Sequence, residues 1–185
     1  FSTEILVAPG NHDFGPKIKT GKKHQNDFLK VFKKSYTSLD YKNNLFLVLD
    51  TASITGSLSS KQINWMQKEI NKKKDWNNIF IITHHVVWSD MMNQRGYKIY
   101  PNLNEVKTNN FNNLYSILKK INKEINIYLF AGDINVAPIH TKLFCKKEKN
   151  IYFIATGMGN GRLDNFISLE VSDDGKKLNI KPIFF

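Results

Sequence analysis

A chain of 185 residues can bury one sizeable core, and a hydrophobic content of 41% belongs to a globular α/β protein rather than a disordered one. Its single cysteine, Cys145, excludes an intrachain disulfide framework, and no apolar run approaches the roughly 18 to 20 residues of a membrane span. Lysine and arginine outnumber aspartate and glutamate by 27 to 16, giving a formal charge of +11 that favours anions in general. Only Arg95 and Arg162 are arginines, neither lies in a lysine cluster, and no recognised binding module is present, so nucleic acid is not the favoured partner.

In chain order, Ile5 to Ala8 predicts a short buried strand, stopped by Pro9-Gly10. The chain enters that strand almost directly from Phe1, so residues 1–185 are expected to be the carboxyl-terminal portion of a single larger domain. Behind the stop, Asn11 offers an amide oxygen, His12 an imidazole and Asp13 a carboxylate, at a strand end of the kind where open α/β sheets form ligand crevices. An Asx-type turn is the competing account. His24 to Lys34 carries Phe28, Val31 and Phe32 at helical spacing, an apolar side suited to packing on a sheet.

Leu45 to Leu49 predicts the next strand, entering Asp50-Thr51-Ala52, where Asp50 is weighted toward capping a turn over reaching the site. A helix starting at Ser59 or Ser60 places Ile63, Met66 and Ile70 on one face and ends in lysines that suit its dipole, while Trp65 and Trp76 read as packing residues. Ile79 to Ile82 is a buried strand delivering Thr83-His84-His85 at its carboxyl end. A strand, helix, strand succession implies parallel pairing, so the Asn11 and His84 loops should open on the same sheet edge. The stretch from Ser89 to Pro101 lacks a period; it reads as a surface loop or one over the crevice, with Arg95 and Tyr97 as candidate substrate contacts. Asn109 to Ile121 is a helix, and Ile125 to Phe130 a third strand ending in Ala131-Gly132-Asp133-Ile134-Asn135. Ile151 to Ala155 is a strand running into a glycine-rich turn. Phe166 to Val171 and Leu178 to Phe184 flank Ser172-Asp173-Asp174-Gly175 as an antiparallel hairpin, so the sheet is expected to begin parallel and finish antiparallel.

Oxygen and nitrogen donors at successive strand ends suit divalent Mn, Fe, Co or Zn, and a pair of such ions can activate water and orient a phosphate. At this point the sequence resembles the calcineurin-like metallophosphoesterases and their purple-acid-phosphatase relatives. Gly10-Asn11-His12-Asp13 matches that family's Gly-Asn-His-Asp/Glu block, and Thr83-His84-His85 after an apolar strand is similar to its following histidine block. The resemblance implies a layered α/β/β/α sandwich, incomplete at the amino terminus and finishing in antiparallel strands. It implies hydrolysis of a phosphate monoester or diester by metal-activated water, with two divalent ions as cofactors and a phosphorylated small molecule or other phosphoester as partner.

Carried over by position, the resemblance makes Asn11 and His84 ligands of the second metal and His12 the candidate general acid. Asp13 would orient His12, and His85 would shape the pocket, although the two histidines can be transposed. The family's Gly-His-x-His block is replaced here by Gly132-Asp133-Ile134-Asn135, in which Asp133 offers a hard oxygen and Asn135 a neutral carbonyl. His140 could fold back toward the site, but a pocket-edge role fits better, since Pro138 intervenes and no ligand spacing is recognisable. The family's earlier Asp-x-His and Gly-Asp blocks should precede the strand at Ile5, where this sequence starts. An upstream segment or companion chain is therefore expected to complete the site, and the isolated chain to be inactive or weak. The alternatives are a non-catalytic binding or scaffolding domain derived from the family, and a nucleic-acid-processing phosphodiesterase.

Overall fold

The structure, a computed structural model, describes residues 5–14, 18–54, 56–97, 99, 111–134, 142–158 and 163–185. In chain order its elements are α1 (Asn11–Phe14), α2 (Ile18–Phe32), β1 (Thr37–Tyr41), β2 (Asn44–Val48), α3 (Ser60–Ile70), β3 (Asn78–Thr83), α4 (Ser89–Gln94), α5 (Phe111–Leu118), β4 (Asn126–Ala131), β5 (Leu143–Glu148), β6 (Ile151–Thr156), β7 (Asn165–Val171) and β8 (Leu178–Phe184). The runs rich in Ile, Leu, Val and Phe become the centre of a six-stranded sheet ordered β1-β2-β3-β4-β6-β5. β2, β3, β4 and β6 are parallel neighbours, and β1 and β5 close the two edges antiparallel. Strands covered on both faces need apolar residues at every position rather than in alternation, which is why these runs are continuous.

The two faces are covered differently. On one, Leu45, Leu47, Ile79, Ile81, Ile127, Leu129 and Phe153 pack in one core with Ile63, Met66 and Ile70 of α3 and with Phe111, Leu114 and Leu118 of α5. The helix α3 begins where the Ser59 hydroxyl accepts the Gln62 amide, a cap that satisfies an otherwise orphan donor. The other face carries an aromatic row, Phe46, Phe80, Tyr128 and Tyr152, aligned in register across β2, β3, β4 and β6. Its rings stack at 4.5, 5.1 and 4.5 Å between centroids. Ile167, Leu169, Leu178 and Ile180 of the β7–β8 hairpin pack with this row. The layers are thus helices, a six-stranded sheet and a two-stranded sheet, a mixed α/β sandwich.

Several sequence expectations are corrected. Ile5 to Ala8 forms no strand: it joins neither sheet, and Ile5 is 76% exposed, because an apolar tetrapeptide becomes a strand only where an edge supplies backbone partners. The second helix starts at Ile18, earlier than His24. Of its apolar side only Phe28 is buried, edge-on to Phe14 at 5.5 Å and tilted on Phe32, while Val31 and Phe32 stay exposed. The terminal hairpin does not extend the main sheet but forms its own layer. β1 and β5 were not expected at all. The β1–β2 turn is Lys42-Asn43, both with positive φ, in place of the usual glycine signal, and β5 hides in a lysine-rich stretch typical of a protected edge. Ser89 to Gln94 is helical, and Arg95 pairs with Glu148. Glu148 sits opposite Ile151 at the start of β6, so Arg95 is held at the sheet end opposite His84, away from the crevice. Tyr97 packs edge-on against Phe144.

Candidate metal centre

The parallel strands β3 and β4 end side by side, with Thr83 opposite Ala131, so the loops leaving them emerge together. Backbone contacts fix both: Gly132 donates its amide to the His84 carbonyl at 3.0 Å, and the Thr83 hydroxyl lies 2.9 Å from the His85 carbonyl and 3.1 Å from that of Phe130. The Asp133 loop is held from its other side, where Ile134 donates to Thr156 O at 3.1 Å. Gly157 makes that approach feasible, since a Cβ there would sit 1.8 Å from Ile134 O. Gly10 serves the third loop in the same way. A Cβ on it would meet the His84 ring at 3.0 to 3.1 Å, so the missing side chain lets the Pro9-Gly10-Asn11 segment lie against the imidazole.

The consequence is convergence. His84 Nε2 lies 2.9 Å from Asn11 Oδ1 and 3.9 Å from Asp133 Oδ1. One donor atom from each of His84, His85 and Asp133 lies within 4.8 Å of the others, the one such group among the described residues. Donors that sit about 2.0 to 2.2 Å from one ion lie about 3 to 4 Å from each other, so the two His84 separations already have the size of a coordination shell. The chain therefore carries a His/His/Asp cluster capable of chelating a metal ion.

Burial tunes these groups toward the neutral, ligating state. His85 is fully buried, and burial, assisted by neighbouring His84, pushes its pKa down to about 4. Burial also lowers His84, partly opposed by the Asp13 carboxylate, while His12 adds to the lowering. Both rings are neutral near pH 7, as a metal requires. His85 Nδ1 is 2.8 Å from Thr51 Oγ1, and its Nε2 is buried with no hydrogen-bond partner.

The expected common edge for the Asn11, His84 and Asp133 loops is thus present. His12 is exposed on α1, and Asp13 Oδ2 accepts the Gly10 amide at 2.7 Å, closing the turn. Asp50 caps its own turn, its carboxylate accepting the amides of Ala52 and Ser53 at 3.0 and 2.9 Å. Asn135 and His140 lie outside the described residues. Thr51 is the residue that sequence reasoning passed over, and register would have found it. With Val48 opposite Ile82 in parallel strands, counting three residues onward sets Thr51 beside His85.

Beside the cluster, His84 helps to wall a cleft of about 400 Å³ between the main sheet and the hairpin, lined by Ile82, Phe130, Phe166 and Leu169. No helix among the described residues is long and apolar enough to cross a membrane. Compared with known proteins, the chain matches no family model, no curated protein and no solved structure.

Proposed function

We propose that this chain is the carboxyl-terminal part of a metal-dependent phosphoesterase that hydrolyses a phosphate monoester or diester. The observation that carries the reading is the meeting of Asn11 Oδ1 and Asp133 Oδ1 around His84 Nε2, at 2.9 and 3.9 Å, from loops far apart in sequence. These are positions that the resemblance to calcineurin-like phosphoesterases marks as ligands, and the spacing of their atoms suits one cation. Bound there, a divalent ion supplies Lewis acidity to a phosphoryl oxygen and lowers the pKa of water. The chain's own residues would supply the rest: Asn11, His84 and Asp133 would hold the ion, and the resemblance adds Asn135 as a further donor. His12, exposed at the start of α1, delivers a proton to the leaving oxygen. The second ion of the pair and its remaining ligands are assigned to segments upstream.

The test is hydrolysis of aryl phosphate monoesters and diesters across Mn, Fe, Co and Zn, with calorimetry of divalent binding. It is run on this chain and on the longest gene product that contains it. The expected result is one bound ion and weak turnover for the chain, and two ions with robust turnover for the longer product. Divalent binding without hydrolysis in either preparation would transfer the protein to the scaffold reading.

A further inference from the structure

The His85 ring poses a question that the resemblance does not answer. It is fully buried, its Nδ1 lies 2.8 Å from Thr51 Oγ1, and its Nε2 meets no hydrogen-bond partner, yet it belongs to the same close group as His84 and Asp133. A buried imidazole nitrogen without a partner is costly in an apolar interior and is rare unless something else satisfies it.

We propose that Thr51 is a positioning residue that fixes the tautomer of His85, so that His85 Nε2 joins His84 Nε2, Asn11 Oδ1 and Asp133 Oδ1 as a donor to one borderline cation such as Zn²⁺ or Co²⁺. This rests on the metal-centre reading above and adds a ligand and its orienting partner. Thr51 Oγ1 already accepts the backbone N–H of His85 at 3.2 Å and retains a second lone pair. When Nδ1–H donates to that lone pair, the Nε2 lone pair is left bare, on a ring that shares the close group of His84 and Asp133. In the opposite arrangement the hydroxyl donates to Nδ1, and Nε2 carries a buried proton that no acceptor receives. A bound cation selects the first arrangement, and Thr51 holds the ring in it.

This partnership is the usual way that ligating histidines are oriented, with the second ring nitrogen donating to a fixed oxygen. The Thr51 side chain is fully buried, so the oxygen is fixed by packing as well as by the His85 amide. A cation about 2.1 Å from both His84 Nε2 and Asn11 Oδ1 would replace the hydrogen bond that now joins them at 2.9 Å. Two imidazoles, a carboxylate and an amide oxygen favour Zn²⁺ or Co²⁺ over Mg²⁺ or Ca²⁺, which take oxygen shells.

The experiment titrates the chain with Co²⁺, followed by its visible d–d absorption, with Zn²⁺ competition, for wild type, Thr51→Val, Thr51→Ser and His85→Ala. Thr51→Val is expected to weaken Co²⁺ binding about 10- to 100-fold, and Thr51→Ser to restore it to within about threefold. His85→Ala should change the spectrum to that of a shell with one nitrogen fewer. Nitrogen-15 spectra of the wild-type histidines with Zn²⁺ give a readout that needs no variant to fold: Nδ1 of His85 should carry the proton and Nε2 should shift on metal addition. Wild-type affinity in Thr51→Val, an unchanged spectrum in His85→Ala, a protonated Nε2 in the Zn²⁺ form, or no Co²⁺ binding at all would each overturn the proposal. Failure to hydrolyse phosphoesters while His85 shifts with Zn²⁺ supports it and sinks only the enzyme reading. Metal-dependent hydrolysis by a His85→Ala chain with an unaltered Co²⁺ spectrum does the reverse.

Discussion

The two ends of the main sheet use similar side chains for different ends. At the amino ends of the strands, asparagines are spent on structure. Asn44 donates to the carbonyls of Lys42 and Gly175 at 3.0 and 2.9 Å and accepts from Asn78 at 2.8 Å, while Asn43 donates to Asp75 O and Asn150 to Ile125 O. Gly175, with φ of 74°, leaves room for Lys42 O, which a Cβ would meet at 2.0 Å, so the β7–β8 hairpin is locked against the β1–β2 turn. A cleft of about 190 Å³ lies at this end, walled by Lys73, Trp76 and Ile125, and among the described residues it gathers no His, Cys, Asp or Glu donor set. At the carboxyl ends the polar groups point at one another, and His85 Nε2 is left without a partner. Polar density therefore does not mark the site. What marks it is donor capacity that the fold itself leaves unused.

That contrast can be broken experimentally. His84→Ala removes the donor at the centre of the cluster and should cost on the order of 10³-fold in divalent affinity. This is about 4 kcal/mol, a quarter of the binding free energy of a four-donor site, and calorimetry would read it with the unfolding midpoint of the metal-free chain nearly unchanged. Acid should expose the buried His85 next. Its folded pKa of about 4 lies below the ordinary imidazole value of 6.5, so the unfolded chain binds the proton first and stability falls as the pH drops from about 6.5 to about 4, levelling below that. The loss, about 3 kcal/mol, is measurable by urea unfolding across that window; His84, also lowered by burial, adds in the same direction. A chain equally stable at pH 4 and pH 7 would mean that His85 is not held neutral. Asn44→Ala, at the opposite end, should cost about 2 kcal/mol by leaving Asn78 and two carbonyls short of partners, with divalent affinity unchanged. If it lowered affinity as much as stability, the two ends would not be independent.

Much of the α/β order was legible because buried parallel strands are continuous apolar runs. Ile79 to Ile82 and Ile151 to Ala155 fall within the observed strands, Ile125 to Phe130 overlaps β4 from Asn126 onward, and α3 was announced by its Ser59 cap and its Ile63, Met66 and Ile70 spacing. What escaped had no local signal. β1 leads into a turn of Lys42-Asn43 instead of Asn-Gly, β5 is an edge whose lysines resemble a solvated loop, and Ile5 to Ala8 has strand composition without a neighbouring edge. Within the site, residue types gave Asn11, His84 and Asp133, whereas the Thr51–His85 contact depends on the register of β2 against β3 and so on tertiary structure.

The aromatic row beneath the hairpin has an optical consequence. Phe46, Phe80, Tyr128 and Tyr152 can align only in the native register, because a one-residue slip of β4 would offer Ile127 or Leu129 in place of Tyr128. Burial, with the Tyr152 phenol adding, pushes the Tyr128 pKa up to about 12, so this ring resists ionisation well into alkaline solution. Rings held in such a fixed, asymmetric stack give near-ultraviolet circular dichroism that vanishes when side-chain packing loosens, even if the backbone stays ordered. The protein thus carries its own gauge of sheet integrity on the face away from α3 and α5. A variant of the carboxyl edge that fails to take up a divalent cation the wild type binds, while this signal persists, has lost a ligand and not its scaffold.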